Sequence, residues 1–289
     1  MRWISCILHE LPMEVVPKEI LALSSPFNSF VCADLTSSNI LFRISEIVHQ
    51  WSDNDVYQNL GSPEMENIRV GDGHRAGPLK VVAPIDVSLF SSPSLLQEDV
   101  LLIDFGQSFL ADSPSPNYEP ATPLHYLSPE AFFDSKIGLA SDVWALACLI
   151  FEIRAGWQLF DSFFNSDALV LKRMVETMGR FPDPWWGSWQ DRHPWFDETG
   201  EVKPEEEQRK QGVLLIAAKS TLRQKLCEIG QRDDAPEVDE GSMIEKTGTR
   251  LEEVEIVLLA DLLAKMLKYD PEDRITVVEV LRHPWFAYN

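Results

Sequence analysis

The longest apolar run in the sequence, Val143 to Ile153 within SDVWALACLIFEI, constrains the fold more than any other feature. It is well short of the roughly 18 residues that a membrane-spanning helix requires. It therefore predicts an apolar helix over Ser141–Arg154 in a soluble, globular protein. A chain of 289 residues, 45 % of them apolar, is long enough for one large domain or two small ones and can bury a full core. The start, MRWISCILHELP, has no sustained apolar segment followed by a small-residue cleavage site, so no secretory signal is expected. Cys6, Cys32, Cys148 and Cys227 lie far apart without metal-type spacing, which suits a reducing compartment, cytoplasmic or nuclear.

With 46 acidic against 25 basic side chains, the formal net charge is -21. Direct nucleic-acid binding needs clustered Lys and Arg to neutralise phosphates, so it is not expected. No membrane association is expected either, and such a surface favours basic partners.

Pro12 and Pro17 limit residues 1–31 to an irregular segment with at most a short helix, Lys18–Leu23. ISEIVHQW, from residue 44, carries a helical pattern. The polar, Gly- and Pro-bearing text that follows reads as an insertion, about 43–98. LLQEDVLLIDFG predicts a helical or turn segment leading into a buried strand at Val100–Ile103, closed by Gly106. From Pro129 onward the signals are mostly helical, with further helices at Ser166–Met178, Leu251–Leu267 and Thr276–Leu281. Residues 182–197, rich in Trp and Pro, predict an irregular packed loop. Residues 230–249 predict a mobile acidic one. The echo of RHPWF at 192–196 and 282–286 is too isolated to mark a repeat.

In CADLTSSNILF, residues 32–42, a carboxylate stands five positions before an amide and an apolar run follows. A loop entering a strand can aim both groups at one small volume. Alone the pattern is weak, because Asp and Asn are ordinary turn residues. Further on stand IDFG at 103–106, LSPEAFF at 127–133, SDVWALACLIFEI at 141–153 and YDPEDRITVVEVLRHPWF at 269–286. In that order the five segments, spanning about residues 30–289, resemble the C-terminal lobe of a eukaryotic protein kinase.

The resemblance implies a mainly α fold: a kinase C-lobe over 32–289, preceded by a remnant at 1–31. It implies that Asp34 accepts or orients the substrate hydroxyl, and that Asn39 and Asp104 hold Mg²⁺ against the phosphates of ATP. It further implies a buried ion pair between Glu130 and Arg274, and support of the catalytic-loop backbone from below by Asp142.

The chain departs from the family at several points. Cys32-Ala33-Asp34 replaces His-Arg-Asp, so no arginine is present to pair with a phosphorylated activation loop. Thr36 stands where serine/threonine kinases usually carry a lysine near the γ-phosphate. Only 33 residues precede Asp34, and they contain no glycine, so the family's small β-rich lobe, with its Gly-rich loop and strand lysine, is expected to be missing. GDGHRAG at 71–77 lacks the phosphate-loop spacing and reads as insertion loop, and Lys80 is not the strand lysine. As written, the chain is expected to be impaired or inactive and to expose apolar surface where the small lobe would pack.

The long stretch between Asn39 and Asp104, the wording of QEDVLLIDFGQSF and the replaced arginine resemble the serine/arginine-rich-protein kinase (SR-protein kinase) group, particularly its fungal-type sequences. That group acts on Ser in Arg/Ser-rich proteins. The alternative is a noncatalytic kinase-like lobe that binds basic partners.

Overall fold

The computed structural model describes residues 30–67, 80–83, 93–112, 120–162, 164, 166–231 and 250–288. The expectations for the first 29 residues, the glycine cluster at 71–77 and most of the acidic loop at 230–249 lie outside them.

Among the described residues the paired strands lie before Pro129, with one isolated antiparallel bridge later, Phe196 to Val202. The strands are β1 (Phe30–Val31), β2 (Ile40–Ile44), β3 (Met65–Asn67), β4 (Lys80–Val82), β5 (Leu96–Leu102) and β6 (Phe109–Leu110), paired antiparallel as β1–β6, β2–β5 and β3–β4. The β2–β5 pair follows the two-residue period of a strand. Ile40, Val100 and Leu102 are buried on one face, while Leu41 and Leu101 are exposed on the other. This corrects two expectations. The strand leading to Asp104 begins at Leu96 rather than Val100, because Ile44 pairs with Leu96 across a bulge. Both ends of the expected 43–98 insertion therefore belong to the ladder, and the excursion between the strands spans 45–95.

Within that excursion lie α1 (Glu46–His49) and α2 (Asp53–Leu60). The Ser52 hydroxyl accepts from the Asp55 N–H at 3.3 Å, and the Asp55 carboxylate accepts from the Ser52 N–H at 2.9 Å. This reciprocal cap fixes where α2 starts.

The remaining helices are α3 (Pro129–Asp134), α4 (Leu139–Ala155), α5 (Asp167–Met178), α6 (Trp185–Ser188), α7 (Glu205–Lys210), α8 (Leu222–Cys227), α9 (Glu253–Met266) and α10 (Val277–Leu281). Helix α4 contains the apolar run and is buried from Val143 to Glu152 without a break. A helix apolar on every side is stable in water only when covered on every side. It ends at Gly156, whose φ of 75° suits glycine and whose N–H donates to the Glu152 carbonyl at 2.8 Å. Helix α9 covers part of it with Ile256, Leu259, Leu262, Leu263 and Met266, spaced to share one face and all buried. Each such side chain contributes roughly 1.5–3 kcal/mol on burial. The Trp- and Pro-rich stretch is packed but less irregular than its composition predicts. It forms α6 and a 3-10 turn at Gln190–Arg192, with Trp186 and Phe196 enclosed.

A buried ion pair ties α3 to the segment before α10. Both terminal guanidinium nitrogens of Arg274, Nη1 and Nη2, reach Glu130, at 2.8 and 2.6 Å. The same guanidinium donates to the carbonyls of Lys268, Tyr269 and Ala140, and lies 5.0 Å from the Trp144 ring. Glu130 also accepts from the Ser141 hydroxyl at 2.8 Å. Both residues are buried, so removing one partner leaves an uncompensated charge. Arg274→Met is expected to cost about 3–5 kcal/mol. Urea unfolding of the variant and the parent chain checks this through the shift in midpoint.

Candidate active site

The strand pairings set the geometry of the site. The loop 32–39 runs from β1 to β2, and the loop 103–108 runs from β5 to β6. Because β2 pairs with β5 and β1 with β6, both loops emerge at one place. The Ile103 N–H donates to the Asn39 carbonyl at 2.9 Å and fastens one loop to the other.

Asn39 is buried, and its amide nitrogen donates to Asp34 twice, to Oδ2 at 2.9 Å and to the backbone carbonyl at 3.0 Å. The aspartate carboxylate is thus held in one orientation. Burial raises its pKa above the usual carboxylate range; the Asn39 hydrogen bond pulls it down, and the negative charge of Asp104 raises it again.

Asp104 is exposed and adopts left-handed backbone, φ 59°. Its Oδ1 accepts from the Gly106 N–H at 3.3 Å. A Cβ at residue 106 would sit 3.2 Å from that same oxygen, so glycine leaves the carboxylate room. Phe105 beside it is also exposed, 6.4 Å ring to ring from Phe30.

The loop is anchored from the first turn of α4. Asp142 accepts from the Cys32 N–H at 2.7 Å and from the Ala33 N–H at 2.9 Å, one bond per carboxylate oxygen. As a whole residue Asp142 is half-buried, but its carboxylate is enclosed, and burial pushes its pKa up to about 6 against the pull of the two N–H donors. Ala33 has φ 60°, strained for a residue with a side chain, and the bond to Asp142 holds it there. The Thr122 hydroxyl donates to the Ala33 carbonyl at 2.5 Å.

Other site-side groups escape sequence reasoning. Tyr126 donates to the buried Glu152, and Ser37 joins both, its hydroxyl 3.1 Å from the Tyr126 oxygen and donating to Glu152 at 3.2 Å. Burial, then the nearby Glu152 charge, raises the Tyr126 pKa. The available signal was Glu152 itself, a carboxylate inside an apolar helix that must find partners. Cys32 lies two residues from Asp34, but burial pushes its thiol up to about 11, which leaves it unreactive at neutral pH.

Among the described residues no three His, Cys, Asp or Glu side chains cluster as a metal site. The oxygen donors carried by these two joined loops are the carboxylates of Asp34 and Asp104 and the side-chain oxygen of Asn39, whose amide nitrogen is committed to Asp34. Such a sparse set of oxygens suits Mg²⁺, which keeps waters and takes phosphate oxygens as its other ligands.

The helical body, the paired short strands and the buried Glu130–Arg274 pair agree with the kinase-like fold that the sequence motifs resemble. Residues 92–286 match the protein kinase domain family, and the chain belongs to that family. Asp34 and Asn39 precede the matched residues. The chain is 26 % identical over 200 residues to Dual specificity protein kinase lkh1 of Schizosaccharomyces pombe, covering 68 % of this chain and 25 % of that protein. It is 25 % identical over 195 residues to Serine/threonine-protein kinase Doa of Drosophila melanogaster (65 % of this chain, 20 % of that protein). To the human Dual specificity tyrosine-phosphorylation-regulated kinase 3 it is 25 % identical over 189 residues (64 % and 29 %). The chain thus spans less than a third of the length of each of these relatives.

The Asp142 anchor carries a pH signature. Its folded pKa lies above the unfolded value, so its contribution to stability is greatest below about pH 4 and is lost as pH rises through about 6. The stability difference between the parent chain and Asp142→Asn should shrink by about 2 kcal/mol between pH 4 and pH 7. Denaturant melts of both proteins across that range check it.

Proposed function

We propose that this protein kinase transfers the γ-phosphate of ATP to serine in Arg/Ser-rich proteins, in the manner of the SR-protein kinase group. The observation that supports phosphoryl transfer most is that Asn39 orients the Asp34 carboxylate while the Ile103–Asn39 backbone bond fastens their loop to the one carrying Asp104, at the ends of two paired strands. Asp34, with its pKa raised and its orientation fixed by Asn39, is suited to accept or orient the proton of an incoming hydroxyl. Asn39 and Asp104 would hold Mg²⁺, which neutralises phosphate charge when bound. Leu41 and Leu101, exposed and apolar, belong to the same strand pair as Asn39's loop and offer surface for a flat base.

Thr36 at the usual lysine position is hydrogen-bonded to Ser38 at 2.8 Å and brings no positive charge, so transfer should be slow. That feature also favours a second reading, a lobe that binds basic partners without turnover. The acceptor class rests on the formal charge of -21 and on the SR-kinase resemblance. Two of the relatives are named dual-specificity kinases, which favours testing tyrosine as well as serine.

The test is transfer from labelled Mg·ATP to an Arg/Ser-rich peptide and to its Ser→Tyr counterpart. Asp34→Asn is expected to lower transfer about 10²–10⁴-fold, and Asp104→Asn to abolish it. Transfer unaffected by both substitutions would overturn the phosphoryl-transfer reading. Basic-peptide binding with no transfer by the parent chain would favour the noncatalytic one.

A further inference from the structure

Ser37 opens the 3-10 turn Ser37–Asn39, which carries the amide that orients Asp34. The turn is not secured by its own sequence: Thr36, its N-cap, forms no side-chain cap, and its hydroxyl pairs with Ser38 at 2.8 Å. Its side-chain attachments come from distant parts of the chain. The Ser37 hydroxyl donates to Glu152 Oε1 at 3.2 Å, and the Ser37 N–H donates to the Tyr126 hydroxyl oxygen at 3.3 Å. Tyr126 donates in turn to Glu152 Oε2, so each carboxylate oxygen accepts from one of the two hydroxyls and the three residues close a ring.

Glu152 stands in the last turn of α4 and Asp142 in its first. At 1.5 Å per residue the two carboxylates are about 15 Å apart along the helix. Asp142 accepts from the Cys32 and Ala33 amides just before Asp34, and Glu152 accepts from Ser37 just after it. The loop is thus laid along α4 and pinned on both sides of Asp34. The Ile103–Asn39 bond fixes the far end of the turn to the neighbouring strand, while Ser37 fixes its near end to the helix. A serine that only satisfied a buried carboxylate would engage its hydroxyl alone. Here the backbone N–H is taken by the same pair, so the path of the chain is set as well as the side chain.

We propose that Ser37 is a positioning residue: acting through Tyr126 and Glu152, it holds the turn so that Asn39 keeps the Asp34 carboxylate aimed at an incoming hydroxyl. Its kinetic consequence rests on the phosphoryl-transfer reading, whereas its hold on Asn39 exists without nucleotide. Misplacing a reacting group by about 1 Å costs on the order of 10²-fold in rate.

The test compares the parent chain with Ser37→Ala, Ser37→Thr and Tyr126→Phe through two measurements. In nucleotide-free, isotope-labelled protein, the side-chain amide signals of Asn39 report its bond to Asp34. Ser37→Ala is expected to move them toward the position of a free amide while the Cys32 and Ala33 amides stay protected, and Ser37→Thr, which keeps the hydroxyl, to restore them. In transfer from labelled Mg·ATP, Ser37→Ala should lower kcat about 10–100-fold with little change in the KM for the peptide, and Ser37→Thr should recover most of the loss. Tyr126→Phe removes the oxygen that accepts the Ser37 N–H. It should shift the Asn39 signals in the same direction, and it covers the case in which Ser37→Ala fails to fold. Asn39 signals unmoved by these substitutions, or an active parent whose Ser37→Ala variant keeps its kcat, would overturn the proposal. A parent chain without transfer whose Asn39 signals shift as expected would overturn the phosphoryl-transfer reading and support the assignment of Ser37.

Discussion

The structure depends on one carboxylate at the start of one buried helix. Asp142 stands in the first turn of α4 and accepts the amide protons of Cys32 and Ala33, more than a hundred residues earlier in the chain. Helix α4 cannot move without uncovering apolar surface on every side, so whatever hangs from its first turn inherits the rigidity of the core. The loop that hangs there carries Asp34 and continues to Asn39, and the left-handed backbone of Ala33 is part of how it turns. Burial charges a penalty on the Asp142 carboxylate that two N–H donors only partly offset, as its pKa of about 6 records. The cost of the anchor falls on folding, and its benefit on a loop with defined geometry.

The Glu130–Arg274 pair secures the same region from another side. Its satisfied guanidinium joins α3, the start of α4 and the segment before α10, while Ser141 links it to the residue next to Asp142. The anchor of the Asp34 loop and the ion pair therefore meet in one short stretch, residues 140–142.

How much of this was legible in the sequence depended on whether a signal was local. The apolar run predicts α4 over 141–154, and the helix spans 139–155, because an all-apolar helical run has only one place to go. The proximity of Asp34 and Asn39 follows from five-residue spacing in a loop, and Asp104 joined them through the order of motifs. The Glu130–Arg274 contact, 144 residues apart in sequence, came from family resemblance alone, since no local pattern encodes it. The start of β5 was misplaced because LQED reads as polar and helical, and only its partner Ile44 makes it a strand. The Ser37–Tyr126–Glu152 cluster was missed for the same reason: each member is unremarkable until the fold brings the three together.

The central claim is that α4 fixes the loop carrying Asp34 through two backbone amides. Native-state hydrogen exchange resolved at Cys32 and Ala33 measures this directly. The account predicts that both amides exchange only on the timescale of global unfolding, with the same free energy as the amides in the middle of α4. Exchange at the rate of an open surface loop, while α4 stays protected, would contradict it.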